Sequence, residues 1–204
     1  MIYLIGGAPR VGKSLMAKKL AEETKSHFIS TDDVCGEFVS GLSEGQRTQQ
    51  FPMPNFSGEA SHNTMQPKER VDLLIVSAKS LEQELDRIIG DAIQKQETIV
   101  LEGIHLLPSH VRGLEEKFGT ENVFAIFVGS SDLDLVVDGI YKNTNPHNWL
   151  KDSDEAVIRQ VAEFVAEFSL RIKKEAEENS ITFIVRTNDF ESDVSRFMEM
   201  CRIS

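Results

Sequence analysis

Apolar residues fall along the chain in two rhythms. Ile2-Tyr3-Leu4-Ile5, Thr98 to Leu101, Val123 to Val128 and Ile181 to Val185 are runs without polar alternation, the pattern of parallel strands covered on both faces. Phe28-Ile29, just before Ser30-Thr31-Asp32-Asp33, predicts one further, brief strand. Between the runs the spacing changes to three and four. Leu15, Met16, Leu20 and Ala21 predict a helix over Ser14 to Lys25. Pro67 suits a first helical turn, and Val71, Leu74, Ile75, Ala78, Leu81, Leu85, Ile88, Ile89 and Ile93 continue the period to about Gln94. Asp152 with Glu155 predicts a capping box opening a helix to about Glu178, and Asn188 with Glu191 opens a terminal one. This alternation predicts α/β layering around a parallel sheet in one domain spanning residues 1–204. Residues 36–66 carry Gly, Ser, Gln, Asn, Phe38, Phe51 and Phe56 with no sustained period. They predict a long functional loop or small irregular insertion, a lid or acceptor-binding segment.

Composition narrows the class. With 204 residues, 40% of them apolar, the chain can bury a core without disulfides or structural metal. Cys35 and Cys201 have no metal-site spacing and predict reduced thiols in a cytoplasmic protein, a monomer or homodimer. The run Met1 to Ile5 is too short for a signal-peptide core, and no stretch approaches the ~20 apolar residues of a membrane span. Twenty-two basic against 33 acidic residues give a net charge of −11, which disfavours nucleic acid and anionic membranes as partners. A small phosphate compound remains admissible, because backbone N–H groups, one lysine and Mg²⁺ can overturn the field locally.

The candidate chemistry begins between the first strand and the first helix. Gly7-Ala8-Pro9-Arg10-Val11-Gly12-Lys13-Ser14 fits G-x-x-x-x-G-K-[ST], with Leu15 continuing into the helix. Glycines at these positions let backbone N–H groups converge on phosphate oxygens, Lys13 neutralises β/γ charge, and the Ser14 hydroxyl suits Mg²⁺. Gly7 through Leu15 are therefore the expected nucleotide-binding residues.

Three segments together, this loop, Ser30-Thr31-Asp32 and Glu102-Gly103-Ile104-His105-Leu106-Leu107-Pro108, resemble the small-molecule kinase branch of P-loop proteins. The pattern is most similar to 2-phosphoglycerate-kinase-like proteins, whose third strand ends in E-G-x-H-x-x-P. The resemblance implies a three-layer α/β/α fold with a five-stranded parallel sheet in the order 2-3-1-4-5, ATP at the loop, and an acceptor site at the strand ends. The implied activity is Mg-ATP-dependent phosphorylation of a small hydroxyl-bearing metabolite or nucleotide. A nucleoside monophosphate kinase, using Arg47, Arg70 or Arg112 for the second phosphate, is one alternative. An ATP-dependent switch or ATPase is another.

Within that frame Asp32 is the candidate that orients and deprotonates the acceptor hydroxyl, with Asp33 its substitute one residue along. A turn or helix-cap role for both is the structural alternative. Glu102, ending an apolar strand, needs a partner or a hydrated Mg²⁺, or else hydrogen bonds from loop amides. His105 either contacts a phosphorylated acceptor or is structural. Two departures from the kinase pattern stand out. Val34-Cys35-Gly36 replaces the arginine common after the second-strand aspartate. The lid region, about Tyr141 to Lys151, lacks paired arginines and offers Lys142, His147 and Lys151, with Arg159 and Arg171 beyond. Arg10 or one of these helix arginines is left to supply transition-state charge. Trp149 is read equally as part of a substrate-facing lid or as a loop anchor, and Arg186-Thr187-Asn188-Asp189 as the segment flanking an adenine.

Overall fold

The computed structural model describes residues 1–53, 65–142, 150 and 153–202. Strand β1 (Ile2–Gly7) is buried along its whole length because it has a parallel neighbour on each side. One is β3 (Ile99–Gly103), the other β4 (Val123–Gly129). Strand β2 (His27–Ser30) adds outside β3 and β5 (Thr182–Val185) outside β4, which gives the expected order 2-3-1-4-5, all parallel. Helices α1 (Lys13–Thr24) and α8 (Phe190–Arg202) cover one face and pack on each other. The opposite face carries α4 (Pro67–Gln94), α5 (Pro108–Phe118) and α7 (Glu155–Glu178), while α6 (Leu133–Lys142) packs on α7. The core fills both layers: Met16 from α1, Leu4, Ile5 and Phe127 from the sheet, and Leu81, Phe164 and Phe168 from the helices are fully buried. Phe164 and Phe168, one turn apart on α7, stack with centroids 6.2 Å apart. Among the described residues no helix is long and apolar enough to cross a membrane.

Several expectations are corrected. The segment from residue 36 is largely helical up to Gln50. It contains α2 (Thr31–Ser40) and α3 (Glu44–Gln50), joined by a short turn. Ser30 caps α2 by accepting from the Asp32 N–H at 3.2 Å, and Ser43 and Gln46 form a reciprocal capping box at the start of α3. These helices escape the apolar period because α3 buries no residue and α2 only Thr31. Phe38 and Phe51 meet across the turn at 5.9 Å, whereas Phe56 and the rest of residues 54–64 lie outside the described part. Strand β5 was expected to be covered on both faces, yet it is an edge strand with Val185 45% exposed. Leu15, placed by periodicity on the core face of α1, turns outward and is 63% exposed. The terminal helix is capped one residue later than expected, by Asp189, whose Oδ1 accepts from the Ser192 N–H at 3.0 Å. Asp154 occupies the N-cap position of α7, and Asp152 lies outside the described residues. Helices α5 and α6 had no counterpart in the periodicity.

Candidate active site

Parallel register brings the strand ends together. Ser30 lies opposite Glu102, Gly6 opposite Gly103, and Gly7 opposite Val128, so the segments leaving β1, β2 and β3 emerge at one edge of the sheet. This is the edge at which open α/β sheets bind ligands.

The loop leaving β1 is pinned by the Ala8 N–H donating to the Val128 carbonyl at 3.0 Å. Gly7 and Ala8 are buried behind it, and Pro9 through Leu15 line a cleft of about 900 Å³. Gly12 is the N-cap of α1 with φ +85°, a left-handed conformation that glycine adopts without strain. It offers no capping side chain, and the first turn holds no acidic residue. The Lys13 and Ser14 N–H groups at the first two helical positions therefore have no acceptor within the helix, and the dipole favours an anion there.

Lys13 Nζ lies 2.7 Å from Glu102 Oε1, the two side chains nearly fully buried. The sequence placed these groups in separate roles, one for phosphate and one for metal. At this distance each neutralises the other. Asp32, in the first turn of α2, lines the cleft, and Asp33 does not. Ser14 is exposed at the cleft, and among the described residues no cluster of three or more His, Cys, Asp or Glu side chains could hold a metal on its own.

His105 sits behind Asp32. Its Nδ1 is 3.1 Å from the buried Thr31 hydroxyl and 3.6 Å from Asp32 Oδ1. Burial lowers its proton affinity, the charge of Lys13 lowers it further, and Asp32 opposes both. Gly103 makes this packing possible: a Cβ there would stand 1.7 Å from Thr31 Oγ1. The E-G-x-H spacing thus acquires a steric reason for its glycine and a packing role for its histidine.

The far wall comes from the segment after β5. Arg186 pairs with the buried Asp193, whose Oδ2 also accepts from the Thr187 N–H at 2.8 Å. The Arg186 guanidinium lies over the Phe190 ring at 4.5 Å. Arg10, with φ +63°, lines the cleft, and burial lowers its pKa from the ordinary arginine value. Lys142 also reaches the cleft and pairs with Asp138 at 2.6 Å. Other candidate cations are placed elsewhere. Arg171 borders a separate hollow of about 320 Å³, and Arg159 is exposed on α7 outside the cleft lining. Arg112 pairs with Glu115 and Glu116 on its own helix, and Arg47 donates to the Val39 carbonyl at 3.3 Å. His147, Trp149 and Lys151 lie outside the described residues. Both cysteines are free; burial pushes the Cys35 thiol up to about 11, with Asp32 adding to it, and the Cys201 thiol to about 12.

Sequence reasoning missed Lys18, Asp138 and Phe190 as cleft residues and Asp193 as the clasp behind Arg186. None belongs to a short motif, and only the packing of α6 and α8 around the loop brings them together.

No family model and no curated protein matches the chain in sequence. Solved structures do match in fold. A shikimate kinase from Bacteroides thetaiotaomicron superposes with a TM-score of 0.55 at 12% identity, covering 99% of this chain and 98% of that one. A gluconokinase from Sinorhizobium meliloti 1021 gives 0.51 at 14% identity, covering 99% and 91%. A deoxyadenosine kinase from M. mycoides with bound dATP gives 0.50 at 13% identity, covering 99% of each chain. The chain therefore has the fold of P-loop kinases. The narrower resemblance to 2-phosphoglycerate-kinase-like proteins still rests on the E-G-x-H-x-x-P residues alone.

Proposed function

We propose that the chain is an Mg-ATP-dependent phosphotransferase acting on a small hydroxyl-bearing acceptor. One observation carries the reading: the open helix N-terminus at Gly12, the Lys13 ammonium and the Asp32 carboxylate face a single cleft. Phosphoryl transfer asks the protein mainly for positioning and for charge opposite the phosphate oxygens. The Lys13 and Ser14 amides would receive phosphate oxygens, and Lys13 would neutralise β/γ charge. Asp32 orients the acceptor hydroxyl and takes its proton as the new oxygen–phosphorus bond forms and the bond to ADP breaks. His105 and Thr31 hold the carboxylate's surroundings in place. Arg10 supplies further positive charge, and residues 186–189 flank the base.

The Ser14 hydroxyl, exposed at the cleft, fits Mg²⁺, which keeps several waters and binds through few protein ligands plus substrate phosphates; Glu102, held by Lys13 and outside the cleft lining, would reach the ion only through one of those waters. When bound, the ion would neutralise charge on the phosphates. Of the runner-up readings, a nucleoside monophosphate kinase gains no support from Arg47 or Arg112, both placed outside the cleft lining.

The test measures ADP release from Mg-ATP with a panel of hydroxy acids, sugars, nucleosides and nucleoside monophosphates. We expect one acceptor class to stimulate release, and Asp32→Asn to reduce that stimulated rate by roughly 10²–10⁴ while ATP binding persists and Asp33→Asn has little effect. Release that no acceptor accelerates would replace the kinase with an ATP-dependent switch.

A further inference from the structure

The phosphate loop and the segment after β5 hang from neighbouring residues of one strand. The Ala8 N–H donates to the Val128 carbonyl at 3.0 Å, and the Arg186 N–H donates to the Gly129 carbonyl at 2.9 Å. The two segments meet again at Gly12, where a Cβ would stand 2.7 Å from Phe190 Cε2 and 3.1 Å from Cζ. The half-buried ring therefore lies directly against the residue that caps α1 and leaves no room for a side chain there. Phe190 is itself fixed. It opens α8 immediately after the capping Asp189, and the Arg186 guanidinium covers its ring at 4.5 Å. That guanidinium is held in turn by the buried Asp193, whose carboxylate also accepts from the Thr187 N–H and hydroxyl.

The loop has reason to need such support. Arg10 and Gly12 hold φ at +63° and +85°, and a glycine that reaches this conformation without strain can leave it as readily. The Gly12 carbonyl accepts from the Leu15 and Met16 N–H groups at 3.1 and 3.3 Å, so a displaced Gly12 would carry the first turn of α1 with it. That turn holds the open Lys13 and Ser14 amides. Donors bind an anion best when they are already in place before it arrives.

Building on the nucleotide site of the kinase reading, we propose that Phe190 is a positioning residue for the polyphosphate: its ring braces Gly12 so that the Lys13 and Ser14 N–H groups stay converged. Helix α8 thereby sets the phosphate affinity of a loop from the other end of the chain. The ring lines the same cleft as residues 186–188, yet its contribution falls on the phosphates and not on the base alone.

The test compares wild type, Phe190→Ala, Phe190→Leu and a control about two turns further along α8, Met198→Ala, which removes buried volume at a residue outside the cleft lining. Calorimetric titration reads the affinity for Mg-ATP and for Mg-tripolyphosphate, which carries the phosphates without the base. Amide exchange of the ligand-free protein reads the loop. We expect Phe190→Ala to weaken both ligands by the same factor, about tenfold or more, with Phe190→Leu between. Exchange at the Leu15 and Met16 amides should accelerate in the same order. Met198→Ala should lower the unfolding midpoint and leave both affinities unchanged; if it weakens them as Phe190→Ala does, general loosening replaces the brace. Weakened ATP binding with unchanged tripolyphosphate binding overturns the proposal, since the ring would then serve the base alone, and keeps the nucleotide site. Affinities unchanged in both Phe190 variants overturn it too. Should Phe190→Ala fail to fold, tripolyphosphate affinity of Phe190→Leu equal to wild type overturns the proposal, and a loss supports it. Wild type that binds neither ligand removes the kinase reading and the brace together.

Discussion

Lys13 and Glu102 form a buried pair at 2.7 Å, so removing either one does more than delete a functional group. Lys13→Ala should abolish phosphoryl transfer and also strand a buried carboxylate, at a cost of about 3–5 kcal/mol of stability. Adding Glu102→Gln to Lys13→Ala should recover most of the stability and none of the turnover, measured by urea unfolding and ADP release on the same preparations. A single variant that stayed as stable as wild type would contradict the buried pairing. His105 yields a pH prediction of defined sign. Its proton affinity is lower in the folded protein than in the unfolded chain, chiefly through burial. The unfolded chain therefore takes up the proton first, and the stability contributed by the neutral ring is complete above about pH 6.5 and lost as pH falls toward the folded-state value. Urea midpoints between about pH 7.5 and about pH 5.5 should fall less steeply in His105→Asn than in wild type. The loop around Lys13 was legible because its residues are consecutive. The Lys13–Glu102 and Thr31–His105 contacts were not, since they join residues at or just beyond the ends of different strands, which only the parallel register aligns.

Helices α2 and α3 mark the limit of periodicity as a signal. A seven-residue helix that buries nothing displays no apolar stripe, and its capping box, Ser43 with Gln46, was the one sequence sign of it. Helix α6 carried a comparable sign in Asp132, whose Oδ1 accepts from the Leu135 N–H at 3.1 Å, and α5 carried Pro108 at its start. The long α4, by contrast, was read nearly to its last residue because its buried stripe repeats over 28 residues. The exposure of α2 and α3 also gives them a role as elements. The first turn of α2 is anchored by the buried Thr31 against His105, whereas α3 buries nothing and is held through Phe38 against Phe51 and packing on α4, so it can reorder around a ligand without disturbing the sheet. Hydrogen exchange over residues 36–50 should slow when ATP analogue and acceptor are both present. Protection identical in all ligand states would separate these helices from acceptor binding.

At the scale of the whole molecule, a net charge of −11 coexists with a cleft lined by Arg10, Lys13, Lys18, Lys142 and Arg186, which offset that charge locally where phosphate is expected. Apolar runs predicted parallel strands but could not rank them from centre to edge: β1 and β5 read alike, and one is buried on both sides while the other borders solvent. The strand order came from the resemblance carried by the loop and E-G-x-H residues. That order has a consequence for biosynthesis. The central strand leaves the ribosome before either of its neighbours, for Ile2 pairs with Ile99 and Val123. Synthesis of roughly 120 further residues, on the order of ten seconds at ~5–20 residues per second, must pass before β1 can be enclosed on both sides. Until β3 follows, Ile2-Tyr3-Leu4-Ile5 is an apolar segment with two open edges, and until β4 follows one edge stays open and the phosphate loop lacks the Val128 carbonyl that anchors it. Nascent chains stalled before β4 emerges should be cut by protease near the loop, and those stalled later should resist. The central strand of the sheet is thus made well before the partner that completes its enclosure.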